Sequence, residues 1–270
     1  MRIALQSIVT WIAILMLMAL WLPLLALLRL FDRDPARYRT GRWFRRLGKI
    51  MTRLNPWKIE ISGATIDDPR HPYIVVSNHQ SSADIPIISC LPWEMKWVAK
   101  AELFTVPLLG WLMRLAGDIP VERANKRSGA KALITARQYL QDRCSVMFFP
   151  EGTRSTDGLV HDFTDGAFRL AIKAQVPVLP LALDGTQDVL PTHSWKFGPA
   201  SVRLKVFPPI PTTGLTAADT KALRQQVRRL IIEQLAAWRD APPETLDATI
   251  ADDQDSTKTA APADAPEPAP

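Results

Sequence analysis

The stretch YIVVSNHQSSADIP, residues 73–86, joins a short apolar run to a polar loop. The run is mostly β-branched, which is typical of a buried strand. The loop that follows holds His79, two serines and Asp84 in close succession, and a serine could cap a helix that begins near Asp84. A strand followed by a polar loop and a helix is the repeating unit of α/β proteins.

The same alternation of strand-like and helix-like runs continues along the chain. Six short runs rich in β-branched and aromatic residues predict strands; they are WKIEIS (57–62), YIVVS (73–77), MKWVA (95–99), SVMFFP (145–150), VPVLPLAL (176–183) and VRLKVF (202–207). Helical patterns cover 103–115, 128–142, 166–174 and 216–239. We therefore predict an α/β fold with a largely parallel central sheet flanked by helices and preceded by N-terminal membrane-associated helices.

The length and the cysteine content limit the class of protein. Without its two ends the chain retains roughly 190 residues, which is enough for one domain with a single core. The two cysteines, Cys90 and Cys144, lie far apart and form no CxxC or Cys/His spacing, so we predict no metal site. The low cysteine content is also typical of a reducing cytosolic setting.

The charge is unevenly distributed along the chain. The whole chain carries a net charge of +6, but residues 241–270 hold seven acidic residues and one lysine, a balance of −6. Residues 1–240 therefore carry +12, which favours anionic partners such as phosphate-bearing substrates or acidic lipid headgroups. No nucleic-acid recognition motif accompanies this charge, and we predict no nucleic-acid partner.

The N-terminus is strongly apolar. Residues 3–28 contain no charged residue. As a helix they would reach about 39 Å, more than the roughly 30 Å of a bilayer's hydrocarbon core. A signal peptide would have a shorter apolar core and a small-residue cleavage site, so we predict a membrane-associated segment. Pro23 could break this segment, which leaves open whether it spans the membrane or lies on it.

A basic block follows the apolar segment. Residues 29–53 carry nine arginines or lysines and two aspartates, and apolar residues recur among them at helical spacing. Such a helix suits the headgroup region of an anionic membrane, although it could instead pack on the protein's own domain. If the first segment spans the membrane, the positive flank keeps the domain that follows facing the cytoplasm, at the inner membrane if the protein is bacterial.

These patterns divide the chain into three parts. We assign residues 1–54 to an N-terminal membrane anchor and residues 55–240 to the main domain. Residues 241–270 are rich in Ala, Pro and Asp and lack apolar periodicity, so we predict that they form a disordered acidic tail.

Four stretches lie at the ends of predicted strands, where α/β proteins tend to bind ligands. They are NHQSSAD (78–84), GDIPVER (117–123), FPEGTRS (149–155) and VPVLP (176–180). If His79 lies in a loop and Asp84 in the first turn of a helix, the carboxylate can accept a hydrogen bond from Nδ1–H and leave Nε2 free as a base. Taken alone, the pair could also be a capping loop with an unrelated histidine.

The FPEGTRS stretch has the residue types of an anion site. Gly152 permits a positive φ or close approach of the backbone, Thr153 offers a hydroxyl and an N–H group, and Arg154 is a planar donor fork suited to phosphate. Glu151 could hold Arg154 or bind a substrate hydroxyl, or the stretch could be a turn with a surface ion pair. Two further candidate cations end strand-like runs: Arg123 and Lys100.

The order of these motifs resembles a known family. NHxxxxD, then G-x-x-x-x-x-R, then FPEGTRS, then VPVLP is similar to the glycerolipid acyltransferases, and within them to the 1-acyl-glycerol-3-phosphate acyltransferases that make phosphatidic acid. The resemblance covers roughly residues 57–210. Pro120 departs from it, because the second motif often has an aromatic residue there, and this leaves the preference for the acceptor headgroup open.

The resemblance implies roles for individual residues. His79 and Asp84 match the family's catalytic dyad. The residues that match substrate-binding positions are Arg123, Glu151, Gly152, Thr153 and Arg154, with Lys100 as a looser match. The implied enzyme is a 1-acylglycerol-3-phosphate O-acyltransferase, which transfers an acyl group from an acyl thioester to the free sn-2 hydroxyl and gives phosphatidic acid.

The implied chemistry fits these residue types. His79 would remove the proton of the acceptor hydroxyl as it attacks the thioester, and Asp84 would orient and stabilise the imidazolium. Since the thioester is already activated, no metal or cofactor is needed. The expected partners are membrane phospholipid and lysophospholipid, with acyl-CoA or acyl-carrier protein as the donor. Acyl chain length and oligomeric state stay open.

Other functions stay open on the sequence alone. The acceptor could be glycerol-3-phosphate or another lysolipid. A membrane-anchored serine hydrolase using Ser81 or Ser82 is a second class, but the chain has no G-x-S-x-G elbow. A non-catalytic lipid-binding protein is a third class, and such a protein would have no use for a base.

Overall fold

The computed structural model describes residues 1–122 and 124–250. The strands are β1 (Lys58–Gly63), β2 (Ile74–Ser77), β3 (Met95–Lys100), β4 (Ile119–Val121), β5 (Ser145–Phe148), β6 (Val178–Asp184) and β7 (Ser201–Val206). The α-helices are α1 (Arg2–Phe31), α2 (Tyr38–Met51), α3 (Asp84–Ile88), α4 (Leu109–Ala116), α5 (Lys126–Gln141), α6 (Gly166–Ala174), α7 (Thr186–Val189) and α8 (Thr220–Arg239). Short 3₁₀ helices cover Ala101–Thr105, Ala217–Asp219 and Pro243–Leu246.

The strands of the described residues form one sheet in the order β1-β7-β6-β2-β5-β3-β4. Neighbouring strands run parallel except for β6 and β7, which are antiparallel. The predicted α/β fold with a largely parallel central sheet is therefore confirmed. β4 is absent from the six predicted strands, although it coincides with the strand-like run before Arg123; three residues are too few to show a period.

The central strand β2 is buried along its whole length. Ile74 and Val76 join the core on one face of the sheet and Val75 joins the core on the other, as the two-residue period of a strand requires. Side chains from α5, α6 and α8 pack on the first face and side chains from α3 on the second. A parallel strand covered on both faces reads as a continuous apolar run, which is the pattern of IVV in the sequence.

The topology brings three of the four candidate stretches to one edge of the sheet. The fourth, VPVLP, lies at the opposite edge, because it begins β6 and its Val178 pairs with Ile74 at the start of the parallel strand β2. β2 and β5 are parallel neighbours, with Val76 opposite Phe148. Their carboxyl ends therefore meet, and the loops that follow them, 78–83 and 149–155, start side by side. β3 pairs with β5 and β4 pairs with β3, so their carboxyl ends extend the same edge.

The N-terminal helices pack on the rest of the protein. α1 is continuous, and the strong helix formers around Pro23 offset the backbone hydrogen bond that this residue cannot make. Met18 and Leu25 of α1, Leu47 of α2 and Leu112 of α4 form a shared buried cluster.

Buried charges reinforce this junction. Arg45 of α2 is 3% exposed and forms ion pairs with Asp118 and with Glu94, whose Oε2 lies 3.7 Å from Arg45 Nε. Lys96, which is fully buried, pairs with the same Glu94 at 3.0 Å. The buried face of the basic helix α2 therefore packs against the protein itself. The predicted anchor, residues 1–54, is packed together with the rest of the chain and is not a separate unit.

The residues after α8 also differ from the prediction. The first ten residues of the predicted disordered tail, 241–250, pack on the domain: Leu246 and Ala248 are buried, and Asp247 pairs with Arg228 at 2.6 Å. The sequence does not reveal these contacts, because two apolar side chains are too few to form a periodic pattern. The remainder of the predicted tail lies outside the described residues.

Among the described residues, α1 is the one helix that is long and apolar enough to cross a membrane, by length and composition. Of the residues in its most apolar stretch, 11% are buried, so most of the apolar side chains there are at least partly exposed. Two hydrogen bonds tie the helix lengthwise to the body: Gln6 Nε2 donates to Asn55 Oδ1 at 2.9 Å, and Trp21 Nε1 donates to the Trp43 carbonyl at 2.9 Å. α1 therefore runs along the domain with an apolar face exposed.

Candidate active site

His79 and Asp84 meet in the one arrangement that their spacing allows. His79 lies in the loop after β2, and Asp84 is the first residue of α3. Nδ1 of His79 lies 2.7 Å from Asp84 Oδ2, and the same oxygen accepts the backbone N–H groups of Gln80 (2.8 Å) and Ser81 (3.1 Å). Asp84 is fully buried. Three donors on one carboxylate oxygen fix the imidazole so that Nε2 is the nitrogen left for chemistry.

The FPEGTRS loop holds His79 from a second side. The His79 N–H group donates to Glu151 Oε1 at 2.7 Å, and its carbonyl accepts the Ser155 N–H at 2.8 Å. The Phe149 ring stacks on the imidazole with centroids 3.9 Å apart and planes at 14°. This loop therefore sets both the backbone and the ring of the histidine, a role that the motif does not reveal.

Glu151 differs from its sequence-based interpretation. We expected it to hold Arg154 or a substrate hydroxyl, but the side chain is buried and turned into the loop. Its two oxygens accept the N–H groups of His79 (2.7 Å) and His161 (3.1 Å). Burial raises the pKa of Glu151 to about 8, and the two backbone hydrogen bonds act in the opposite direction. Glu151 therefore connects the loop of His79 to the loop of His161.

The tip of the FPEGTRS loop, residues 152–154, is the part that reaches solvent. Gly152 has φ of +74°, in the left-handed region that glycine adopts without strain. Thr153 and Arg154 are exposed. Arg154 Nη1 donates to Ser82 Oγ at 3.1 Å, which places the guanidinium at the loop that carries the dyad.

The other two predicted cations are Lys100 and Arg123. Lys100, at the end of β3, is half exposed and pairs with Glu102 at 3.2 Å. Arg123 follows the strand β4 but lies outside the described residues. Their expected role in binding the acceptor stays a prediction.

The serines of the loop are engaged elsewhere. Ser81 is buried, and its Oγ donates to the Leu190 carbonyl at 2.7 Å and accepts the Ala83 N–H at 3.2 Å. Ser82 accepts Arg154. In the described part of the chain neither hydroxyl is hydrogen-bonded to His79, so no serine–histidine pair for a hydrolase forms here.

An apolar groove of about 300 Å³ opens beside the dyad loop. It starts at Ser82 and Ala83, and its walls come mainly from α1, α2, α3 and residues near 190–197. Trp11 and Phe44 are among the lining side chains. The sequence showed only that α2 has an apolar face, because a groove shared by distant helices has no local signal.

No group of three or more His, Cys, Asp or Glu side chains that could hold a metal ion occurs within residues 1–122 and 124–250. The prediction that the reaction needs no cofactor stays a prediction.

Residues 58–184 match the family model described as Acyltransferase. This part of the chain is similar to the acyltransferase family. The resemblance drawn from the four motifs is thereby confirmed, and the matched region contains His79, Asp84 and the whole FPEGTRS loop.

Curated relatives extend the match. The 1-acyl-sn-glycerol-3-phosphate acyltransferase alpha of Homo sapiens is 37% identical over 179 residues, which cover 65% of this chain and 62% of the relative. The chloroplastic 1-acyl-sn-glycerol-3-phosphate acyltransferase LPAT1 of Arabidopsis thaliana is 36% identical over 162 residues, or 60% of this chain and 46% of the relative. The chain thus spans less than two thirds of the length of these relatives.

A solved structure shares the fold. The crystal structure of the 1-acyl-sn-glycerophosphate (LPA) acyltransferase PlsC from Thermotoga maritima superposes with a TM-score of 0.72 and 27% sequence identity. The match covers 87% of this chain and 97% of that chain.

Proposed function

We propose that this chain is a 1-acylglycerol-3-phosphate O-acyltransferase. It transfers an acyl group from acyl-CoA or acyl-carrier protein to the sn-2 hydroxyl of 1-acyl-glycerol-3-phosphate and gives phosphatidic acid. The observation that carries the proposal is the 2.7 Å contact between His79 Nδ1 and the buried Asp84 carboxylate, inside a domain of the acyltransferase family. The names of the relatives and of the solved structure support it.

The dyad acts as a general base. Nδ1 is engaged by Asp84, so Nε2 accepts the proton of the acceptor hydroxyl. The hydroxyl oxygen attacks the thioester carbonyl, and the tetrahedral intermediate collapses with loss of the carbon–sulfur bond. The departing thiolate takes the proton from the imidazolium. Asp84 orients the ring throughout and stabilises its positive charge.

Arg154 is the first candidate for the acceptor phosphate. Its guanidinium lies at the dyad loop, its side chain is exposed, and a planar fork can bind two phosphate oxygens. Thr153 adds an exposed hydroxyl group beside it. Lys100 and Arg123 stay candidates for the same phosphate. Glu151 supports the loop, since its two oxygens accept the N–H groups of His79 and His161.

The groove and α1 fit a substrate drawn from a membrane. The groove begins next to the dyad, and its mostly apolar lining suits an acyl chain. α1 is tied to the body along its length and exposes apolar side chains such as Leu20. We therefore infer that α1 lies in the membrane interface, with the catalytic domain on the cytoplasmic side, so that phospholipid and lysophospholipid reach the groove from the bilayer.

An acceptor panel tests the reaction. The purified full chain is given one acyl group as acyl-CoA and as acyl-carrier protein, with 1-acyl-glycerol-3-phosphate, glycerol-3-phosphate and monoacylglycerol as acceptors. We expect the fastest turnover with 1-acyl-glycerol-3-phosphate, and a loss of about a hundredfold or more in His79→Ala, because general-base catalysis contributes that much. Turnover in a folded His79→Ala protein above about a tenth of the wild-type rate would falsify the role of the dyad.

A variant of Arg154 tests how much the phosphate contributes to binding of the acceptor. Arg154→Ala should raise the KM for the phosphorylated acceptor about tenfold or more, since one charge-assisted hydrogen bond is lost. It should leave the KM for the thioester nearly unchanged. An equal loss with monoacylglycerol would show that Arg154 acts on something other than phosphate.

A further inference from the structure

The segment after α8, residues 241–250, is here called the C-terminal strap. Leu246 of the strap is 6% exposed. Val160, in the loop between FPEGTRS and α6, is held by the strap on both sides: its N–H donates to the Leu246 carbonyl at 2.9 Å, and its carbonyl accepts the Ala248 N–H at 3.3 Å. The strap thus adds a short parallel bridge to a loop that follows the active-site motif directly.

Arg228 of α8 joins the strap to the same loop. Nη1 and Nη2 donate to the two carboxylate oxygens of Asp247 at 2.7 and 2.6 Å. Nη2 also donates to the Val160 carbonyl at 2.6 Å, and Nε donates to the His161 carbonyl at 3.0 Å. Hydrogen bonds from Arg228 lower the pKa of the Asp247 carboxyl to about 2, so the pair is ionised at neutral pH.

The loop continues this connection into the active site. The carbonyl of His161 is held by Arg228, and its N–H group donates to Glu151 Oε2 at 3.1 Å. The other oxygen of Glu151 accepts the His79 N–H at 2.7 Å. An unbroken series of hydrogen bonds therefore runs from Asp247 to the backbone of the candidate base.

We infer that the C-terminal strap positions the active site of this acyltransferase, with Arg228 and Asp247 as positioning residues that act on His79 through His161 and Glu151. The inference rests on the proposed function. Without the strap, Val160 loses the Leu246 carbonyl and the Ala248 N–H group, and Arg228 loses the carboxylate that fixes its guanidinium. That guanidinium then holds the His161 carbonyl less firmly, which loosens the loop whose N–H group Glu151 accepts. A shift of a base by about 1 Å costs up to about a hundredfold in rate, even when the cause lies away from the chemistry.

Two matched pairs of variants test the role of the strap. Asp247→Asn removes the carboxylate that Arg228 binds, and Glu244→Gln makes the same charge change on an exposed strap residue. Arg228→Lys keeps the charge but removes the fork, and Arg229→Lys is its control on the exposed face of α8. We expect kcat to fall about ten- to a hundredfold in Asp247→Asn and Arg228→Lys and to change less than about twofold in the controls.

The division between kcat and KM distinguishes positioning from loss of folded protein. Rates are normalised to folded enzyme at temperatures well below unfolding. The KM for the phosphorylated acceptor should change less than about twofold, since the strap does not reach the phosphate site. A double-mutant cycle adds a second measure: in a Glu151→Gln background, Asp247→Asn should have little further effect on kcat, because both act through one network.

Hydrogen exchange measures the same network without catalysis. In Asp247→Asn the backbone amides of His161 and His79 should exchange faster than in the wild type, and in Glu244→Gln they should not. Wild-type kcat in folded Asp247→Asn and Arg228→Lys, or unchanged exchange at both amides, would overturn the inference and leave the proposed function standing. Absence of acyl transfer by the wild-type protein would instead remove the proposed function, and the exchange experiment would still decide whether the strap holds the loop.

Discussion

Glu151 is a buried carboxyl group whose two oxygens accept backbone N–H groups from His79 and His161. Burial raises its pKa to about 8, whereas an unfolded glutamate titrates near 4.3. Between these two values the folded protein retains a proton that the unfolded chain releases. This group therefore contributes stability that is present at acid pH and is lost as the pH rises toward 8.

Glu151→Gln tests this pH dependence. The variant cannot titrate, so its unfolding temperature relative to the wild type should improve steadily as the pH rises from about 5 to about 9. Thermal unfolding of both proteins over this range measures the difference, and Glu233→Gln, which is exposed on α8, serves as the control. A difference that does not vary with pH would mean that the carboxyl group is already ionised in the folded protein at neutral pH.

At the scale of secondary-structure elements, α2 contributes Arg45 to a buried charge cluster with Glu94, Lys96 and Asp118. Removing Arg45 leaves Glu94 with Lys96 as its cation and takes from Asp118 its ion-pair partner. Breaking a buried ion pair from one side typically costs about 3–5 kcal/mol. Arg45→Ala should lower the free energy of unfolding by this amount, as measured in denaturant.

The matched control and a deletion complete this test. Arg39→Ala removes the same residue type from an exposed position of α2 and should change the free energy of unfolding by less than about 0.5 kcal/mol. Deletion of residues 1–54 removes Arg45 together with the cluster around Leu47, and we expect it to abolish cooperative unfolding and acylation of soluble and bilayer acceptors alike. If the protein without residues 1–54 folds and is active, those residues form a separate anchor, as the sequence predicts.

α1 contributes a different property, its exposed apolar face. Leu20 is 67% exposed on α1, and Ile134 is 63% exposed on α5, which packs on a face of the central sheet. Leu20→Glu should weaken flotation with anionic liposomes and Ile134→Glu should not, because only the first places a charge in the proposed interface. Both should turn over a short, water-soluble acceptor normally. Wild-type flotation of Leu20→Glu would place the membrane contact elsewhere.

At the scale of the whole molecule, the C-terminal part of the chain closes the network around the active site. A chain that ends after Ile250 keeps the strap, and we expect wild-type kcat and melting temperature. A chain that ends after Asp240 removes the carboxylate of Arg228 and uncovers the surface that Leu246 packs on, so we expect a lower melting temperature and a kcat reduced about tenfold or more. Equal activity of the two truncated chains would show that the strap is dispensable.

The sequence alone determined the fold class and permitted the contact between His79 and Asp84. β2, β5 and β6 are short, mostly apolar runs, and their alternation with helical patterns is a local signal. The partnership of His79 and Asp84 is local as well, since five positions separate them and the turn into α3 brings them together. The motif order then added the family, which the match over residues 58–184 bears out.

Tertiary structure alone decided what holds these groups in place. Glu151 and His79 are 72 positions apart, Arg45 and Asp118 are 73 positions apart, and neither pair has a period or a spacing that marks it. Such contacts arise only when the order of strands in the sheet brings distant loops to one edge, and burial then requires each polar group to find a partner there. A sequence pattern records which residues are polar, but the partner of a buried polar group depends on the whole fold.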